Sequence, residues 1–152
     1  MKRGKHVESL AKRIVKTLEP HCKKIMIVGS IRRGEKKPRD IDLVLIPKDK
    51  NKIEEILEKK GRYLQGGEKK ASFRIKGVKV ELYYTIPREW GATLLAYSSR
   101  LGSSIGLRVV AKTKGFKLNQ HGLFRKGRRV AGRTEEEIYK ALGRKWKAPE
   151  KR

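Results

Sequence analysis

Apolar side chains recur along this chain at two spacings, and the switches between them mark out its elements. Val7, Leu10, Ala11, Ile14, Val15 and Leu18 keep helical spacing, and Pro20 ends the run. The spacing predicts a helix with one apolar stripe, with residues 1 to 6 as a loose basic start. Lys24 to Val28 reads as a buried strand, and Gly29-Ser30 as the beginning of a turn. Pro38 has no amide to give a ladder, so a second strand starts at or after Arg39. In it Ile41, Leu43 and Leu45 face one side, while Asp40, Asp42, Val44 and Ile46 face the other. A strand apolar on both faces beyond its first turn is an interior strand, and Pro47 closes it.

Asn51 to Lys60 predicts a helix through Ile53, Ile56 and Leu57, stopped by Gly61. Gln65-Gly66-Gly67 is expected to be a flexible loop. Ser72 to Ile75 and Val78 to Tyr84 are expected as strands joined by a tight turn at Lys76-Gly77. Val78, Val80, Leu82 and Tyr84 take one face of the latter strand, leaving Lys79, Glu81 and Tyr83 on the other. Ile86-Pro87 is the expected boundary. Beyond it, Trp90 to Tyr97 and Gly102 to Lys114 read as helices, Lys117 to Asn119 with Gly122 to Phe124 as a small hairpin, and Arg125 to Arg129 as a basic turn. Thr134 with Glu137 has the capping-box spacing, opening a short helix through Ile138 to Leu142 that Gly143 ends. A basic tail follows, and no internal repeat is present.

Composition changes this picture in one respect. The 152 residues suffice for one domain or two small lobes, and they carry 41 Lys and Arg against 16 Asp and Glu, a formal charge of +25. The excess runs along the chain instead of forming a tail. Such an imbalance repels itself in a compact state unless an anionic partner relieves it, and a phosphate backbone does so with release of counterions. Nucleic acid is the expected partner, and an anionic membrane surface the lesser reading. The apolar runs are strand-sized and internal, so a soluble, intracellular protein that is not secreted is expected. The lone Cys22 is read as a small buried hydrophobe, and His6, His21 and His121 lack zinc-ligand spacing. Trp90 and Trp146 are expected in a core or lid, and His121 in a turn.

The chemistry concentrates between Ile25 and Ile46. Two aspartates on one strand face supply hard oxygen ligands, and Glu81 completes a three-carboxylate site if its strand lies beside theirs. Ahead of them Gly29 permits close backbone approach, Ser30 offers a hydroxyl, and Arg32 and Arg33 offer planar forks suited to a triphosphate. Two Mg²⁺ ions on such a site activate an attacking hydroxyl and stabilise leaving pyrophosphate.

Gly29-Ser30-x-Arg32-Arg33-Gly34 followed by Asp40-Ile41-Asp42 resembles the signature of the family X DNA polymerases, the polymerase-beta-like branch of the nucleotidyltransferases. The similarity continues through Val80-Glu81-Leu82, Leu107-Arg108, Lys114-Gly115-Phe116-Lys117-Leu118-Asn119, and Leu142-Gly143 with the Trp146 to Pro149 tail. It implies an α+β fold: a nucleotidyltransferase palm of mixed β-sheet with helices on one face (1–86), then a small helical thumb with a short hairpin (87–152). No lyase or fingers domain is expected. It further implies a monomer that adds deoxynucleotides from their triphosphates to a DNA primer 3′ end, filling short gaps in repair, with two Mg²⁺ ions for which Mn²⁺ substitutes.

On this resemblance Asp40 and Asp42 hold both metals, and Glu81 holds the catalytic one facing the primer hydroxyl. Ser30 and Arg33 hold the nucleotide's β- and γ-phosphates, Gly29 lines the pocket and Arg39 also binds the nucleotide; Tyr97, Ser98 and Ser104 attend its sugar and base. Arg108 reaches the template minor groove, and Lys79 lies near the primer end. Lys112, Lys114, Lys117, Asn119, Arg125, Arg128 and Arg129 are the further DNA contacts. The chain departs from the family pattern where Glu81 replaces an aspartate, where Ala96-Tyr97-Ser98-Ser99 replaces an aromatic-threonine-glycine segment, and where Ser104 replaces an asparagine. The rival readings are transfer to another acceptor, an RNA 3′ end or an untemplated DNA end, and a catalytically silent nucleic-acid binder.

Overall fold

The stripe from Val7 to Leu18 winds onto a helix, α1 (Arg3–Leu18), whose Val7, Leu10, Ala11, Ile14 and Leu18 are all buried. The structure, a computed structural model, describes residues 3–152, the side chains of Arg3 and Leu101 excepted. Of the expected loose start, residues 1 and 2 lie outside that range, while residues 3 to 6 are helical. Gly4 accounts for part of this: a Cβ there would come within 2.7 Å of the Lys36 carbonyl, so the missing side chain lets the first turn brace the basic loop at Lys36–Pro38.

After a 3₁₀ turn at Glu19–His21 come β1 (Cys22–Val28), a single helical turn α2 (Gly29–Arg32), β2 (Ile41–Pro47), α3 (Lys50–Glu58), β3 (Arg62–Gly66), β4 (Lys70–Ile75) and β5 (Val78–Tyr84). The five strands form one sheet in the order β1-β2-β5-β4-β3, with β2 and β5 parallel and the other neighbours antiparallel. β2 is an interior strand, as its two apolar faces require. One sheet face, with Ile41, Leu43, Leu45, Val80, Leu82 and Phe73, packs against α1 and against Ile53 and Leu57 of α3. Asp49 caps α3 by accepting from the Lys52 amide, and the Tyr84 hydroxyl donates to Glu54 at 2.6 Å, tying α3 to β5. Lys76 and Gly77 both have positive φ, the conformation of a two-residue hairpin turn.

β3 corrects the flexible loop expected at Gln65-Gly66. As an edge strand it leaves most of its side chains in solvent and shows no apolar alternation.

The contact pattern divides the chain into two compact units, the first ending at Thr85 and the second running Ile86–Arg152. The second contains α4 (Trp90–Tyr97), α5 (Leu101–Thr113), β6 (Lys117–Asn119), β7 (Gly122–Arg125), β8 (Arg128–Ala131) and α6 (Glu135–Ala141). Its core gathers Ala92, Leu95, Ala111, Leu123, Ile138 and Leu142. The start of α4 gives its Gly91 and Ala92 amides to the Arg133 and Gly132 carbonyls, and Thr134 caps α6 by accepting from Glu137.

Two further expectations are corrected here. The basic turn at Arg125–Arg129 contracts to Lys126 and Gly127, both at positive φ, and Arg128 opens a third strand. The basic tail folds back: Arg152, only 4% exposed, forms a two-pronged pair with buried Glu135, which also accepts from the Trp146 indole.

Candidate active site

Parallel pairing of β2 with β5 sets Asp42 directly beside Glu81, and the flanking ladders add Val28 and Ser72 to the same row. Residues opposite one another across a ladder share a face. Asp42 and Glu81 therefore stand side by side on the sheet face turned away from α1 and α3. Both are half-buried.

Every oxygen of Glu81 has a partner. Oε1 pairs with Lys79 Nζ at 2.8 Å; Oε2 accepts from the Tyr83 hydroxyl at 2.5 Å and lies 3.4 Å from Lys70 Nζ. The same hydroxyl lies 3.3 Å from Asp42 Oδ1, so one phenol oxygen touches both carboxylates. Lys70 also sits over the Tyr83 ring, 5.6 Å from its centre.

The two acids titrate in opposite directions. Burial, then the charge of Glu81, pushes Asp42 up to about 6, against the bond from Tyr83. Burial raises Glu81 too, but bonds from Lys79 and Tyr83 and the charge of Lys70 outweigh it and hold the carboxyl below its ordinary value.

Gly29 ends the approach from the other side. It is buried with φ +66°, and a Cβ on it would lie 2.4 Å from Asp42 Oδ2. Only glycine keeps that backbone and leaves the aspartate its place. In the expected Gly29-Ser30 turn the chain makes one helical turn, with the Ser30 carbonyl accepting from the Glu35 amide. Arg33 donates to Glu35 at 3.1 Å, while its Nε is buried without a partner. Arg39 and Asp40 are exposed in the loop before β2, so the strand face expected to carry both aspartates bears Asp42 alone, with Asp40 one residue outside. Asp40 is near enough to act electrostatically on Asp42 and Lys79.

Among the described residues no three His, Cys, Asp or Glu side chains converge into a ready-made metal cage. What is present is a pair of hard carboxylates, Asp42 packed directly against the bare Gly29 backbone, with a third carboxylate nearby. Mg²⁺-like ions typically take one or two carboxylates and complete their shell with phosphate and water, and the donor set fits such an ion.

The remaining expected residues lie in the second unit. Tyr97 is half-buried and Ser98 fully buried at the end of α4. Ser104, Arg108 and Asn119 line one small crevice. Lys112, Lys117 and Arg128 are exposed. Lys114 gives its ammonium to the Leu142 carbonyl at 2.6 Å, at the end of α6. Arg125 lies over Phe116 and Arg129 over Phe124, and Arg129 is further paired with Glu89, whose other oxygen meets His121.

Tyr83 and Lys70 were not among the residues singled out from sequence. Tyr83 had a signal, since it alternates with Glu81 on one strand face; Lys70 had none, because it reaches Glu81 only through the β4–β5 register. Cys22 is buried and its thiol is pushed up to about 11, chiefly by that burial, as befits a packing residue.

Residues 9–95 match the family model described as "Nucleotidyltransferase domain", and residues 104–152 that described as "DNA polymerase beta thumb". The chain is 32% identical over 142 residues to a protein of African swine fever virus (isolate Pig/Kenya/KEN-50/1950) named "Repair DNA polymerase X", covering 86% of this chain and 82% of that one. The corresponding protein of the Pretoriuskop isolate is 31% identical over the same shares. "DNA polymerase IV" of Saccharomyces cerevisiae is 38% identical over 64 residues, 42% of this chain and 11% of that protein. No helix among the described residues is long and apolar enough to cross a membrane.

Proposed function

The chain belongs to the family X DNA polymerases, and from that premise we propose that it adds deoxynucleotides to a primer 3′-OH opposite a template and fills short gaps in DNA repair. The observation that carries the reading is the Asp42–Glu81 row, with the Gly29 backbone packed close against Asp42.

In this mechanism Asp40, Asp42 and Glu81 hold Mg²⁺. Ions held there would supply charge neutralisation for the attacking hydroxyl and the leaving pyrophosphate. Ser30, Arg33 and Arg39 receive the triphosphate: the unpartnered Arg33 Nε is a donor already stripped of water, and a phosphate oxygen satisfies it. Gly29, without a side chain, lets the backbone pass close against the Asp42 carboxylate. Glu81 faces the primer end, with Lys79 beside it. Nothing in this scheme calls for a covalent intermediate; the residues orient the groups and stabilise their charge.

The second unit acts on the duplex. Tyr97, Ser98 and Ser104 attend the nucleotide, Arg108 the template minor groove, and Lys112, Lys114, Lys117, Asn119, Arg125, Arg128 and Arg129 the backbone. Each phosphate neutralised adds affinity that depends on salt and not on sequence.

The test is primer extension on recessed and on one-nucleotide-gapped DNA, with Mg²⁺ or Mn²⁺ added to metal-free protein. Metal-dependent addition to the DNA primer is expected. Retained DNA binding with no addition under any of these conditions would overturn the reading, and preferential addition to RNA ends would replace it by the other-acceptor alternative.

A further inference from the structure

The third carboxylate of this site is a glutamate, which has one more rotatable bond than an aspartate and must be held more firmly to present its oxygens reproducibly. Its three partners are not equivalent holders. Lys79 and Lys70 approach on long, solvent-exposed side chains, 37% and 47% accessible, and such tethers fix position weakly. Tyr83 has only two side-chain torsions, sits half-buried on the same face of β5, and places its hydroxyl 2.5 Å from Glu81 Oε2. Its second contact, 3.3 Å to Asp42 Oδ1, ties the glutamate to the neighbouring strand's aspartate.

Resting on the reading of Glu81 as a metal-holding carboxylate, we propose that Tyr83 is a positioning residue: its hydroxyl sets Glu81 against Asp42 and makes a glutamate serviceable at this position. The phenol acts through the carboxylates and touches neither substrate nor reacting atoms. Groups that orient a metal's ligands in this way typically change metal affinity or activity by about 10- to 100-fold when removed.

Four proteins test this: wild type, Tyr83→Phe, Glu81→Asp and the double variant, with Glu81→Ala as control. Mn²⁺ binding to the protein alone is read by electron paramagnetic resonance of the free ion, and single-turnover extension is read separately. Tyr83→Phe should weaken Mn²⁺ binding roughly tenfold or more and slow extension comparably, with DNA affinity within about twofold. In the Glu81→Asp background the same change should cost less than about twofold, because the shorter carboxylate is withdrawn from the phenol. Unchanged Mn²⁺ binding in Tyr83→Phe, or an equal loss in both backgrounds, would overturn the proposal. If Glu81→Ala itself binds Mn²⁺ and extends primers as wild type does, the site assignment fails first, and the two failures are thereby told apart.

Discussion

In the first unit two half-buried carboxylates, Asp42 and Glu81, share the Tyr83 hydroxyl, and the more exposed Lys79 and Lys70 reach in to Glu81. In the second, Lys112, Lys117 and Arg128 stand in solvent, and the Arg125 and Arg129 guanidiniums lie over phenylalanine rings. The first arrangement is a connected network, in which removing one member changes what the others touch, so losses do not add. The second is a set of nearly independent contacts, each worth little and each screened by salt. On the proposed function, chemistry and affinity would thus be carried by different kinds of electrostatics within one small chain.

The largest expected effect comes from breaking the buried set. Asp42→Ala should lower extension on the order of 10³-fold, as loss of a preorganised charge at a reacting centre does, while DNA affinity changes only a few-fold. Single-turnover rates with a filter-binding control would measure both, and a parallel loss of binding would erase the contrast between the units. Gly29→Ala follows. The left-handed backbone alone disfavours the change by about 1–2 kcal/mol, and the new methyl meets Asp42, so stability and extension should both fall, extension by roughly tenfold or more.

The contrast was only partly legible from the residues. Alternation puts Asp42 on one face of its strand and Glu81 on one face of another, β2's two apolar faces make it an interior strand, and the mixed sheet is implied by the family resemblance. What alternation cannot supply is register: that β2 and β5 run parallel with Asp42 opposite Glu81, and that β4 brings Lys70 to the same place, depends on contacts between distant segments. The edge strand β3 and the strand β8 escaped notice for a related reason. Both are short and mostly solvated, so tertiary pairing makes them strands without apolar patterning to announce it. The burial of Arg152 has no local signature, because a charge buried by a partner 17 positions earlier in sequence looks, locally, like any other charge.

A smaller effect sharpens the comparison through pH. Asp42 is held up at about 6 in the folded, metal-free protein, above its ordinary 3.8, so the folded state binds the extra proton between those values. The stability this group contributes is full below pH 4 and is lost as pH rises through 6. Asp42→Asn should therefore stabilise the metal-free protein at pH 7, by about 1–3 kcal/mol, and flatten that part of the pH profile. Denaturant titrations from pH 4 to pH 8 would show it; a variant less stable than wild type at pH 7 would mean the carboxylate is matched by a cation in the folded state.

The smallest effects belong to the exposed cations. Replacing Lys112, Lys117 or Arg128 singly by Ala should lower DNA affinity modestly and reduce the salt-dependence slope by about 0.7–0.9 for each phosphate contact removed, with the single-turnover rate at saturating DNA unchanged. A rate loss from any of them would place it with the buried set.

The most direct measurement is single-turnover insertion at a one-nucleotide gap, with each of the four deoxynucleotides offered against each of the four template bases in the presence of Mg²⁺. If the first unit performs templated phosphoryl transfer, insertion should follow the template base and disappear when the metal is chelated. Tight binding of the gapped DNA with no insertion, or insertion indifferent to the template base, would contradict it.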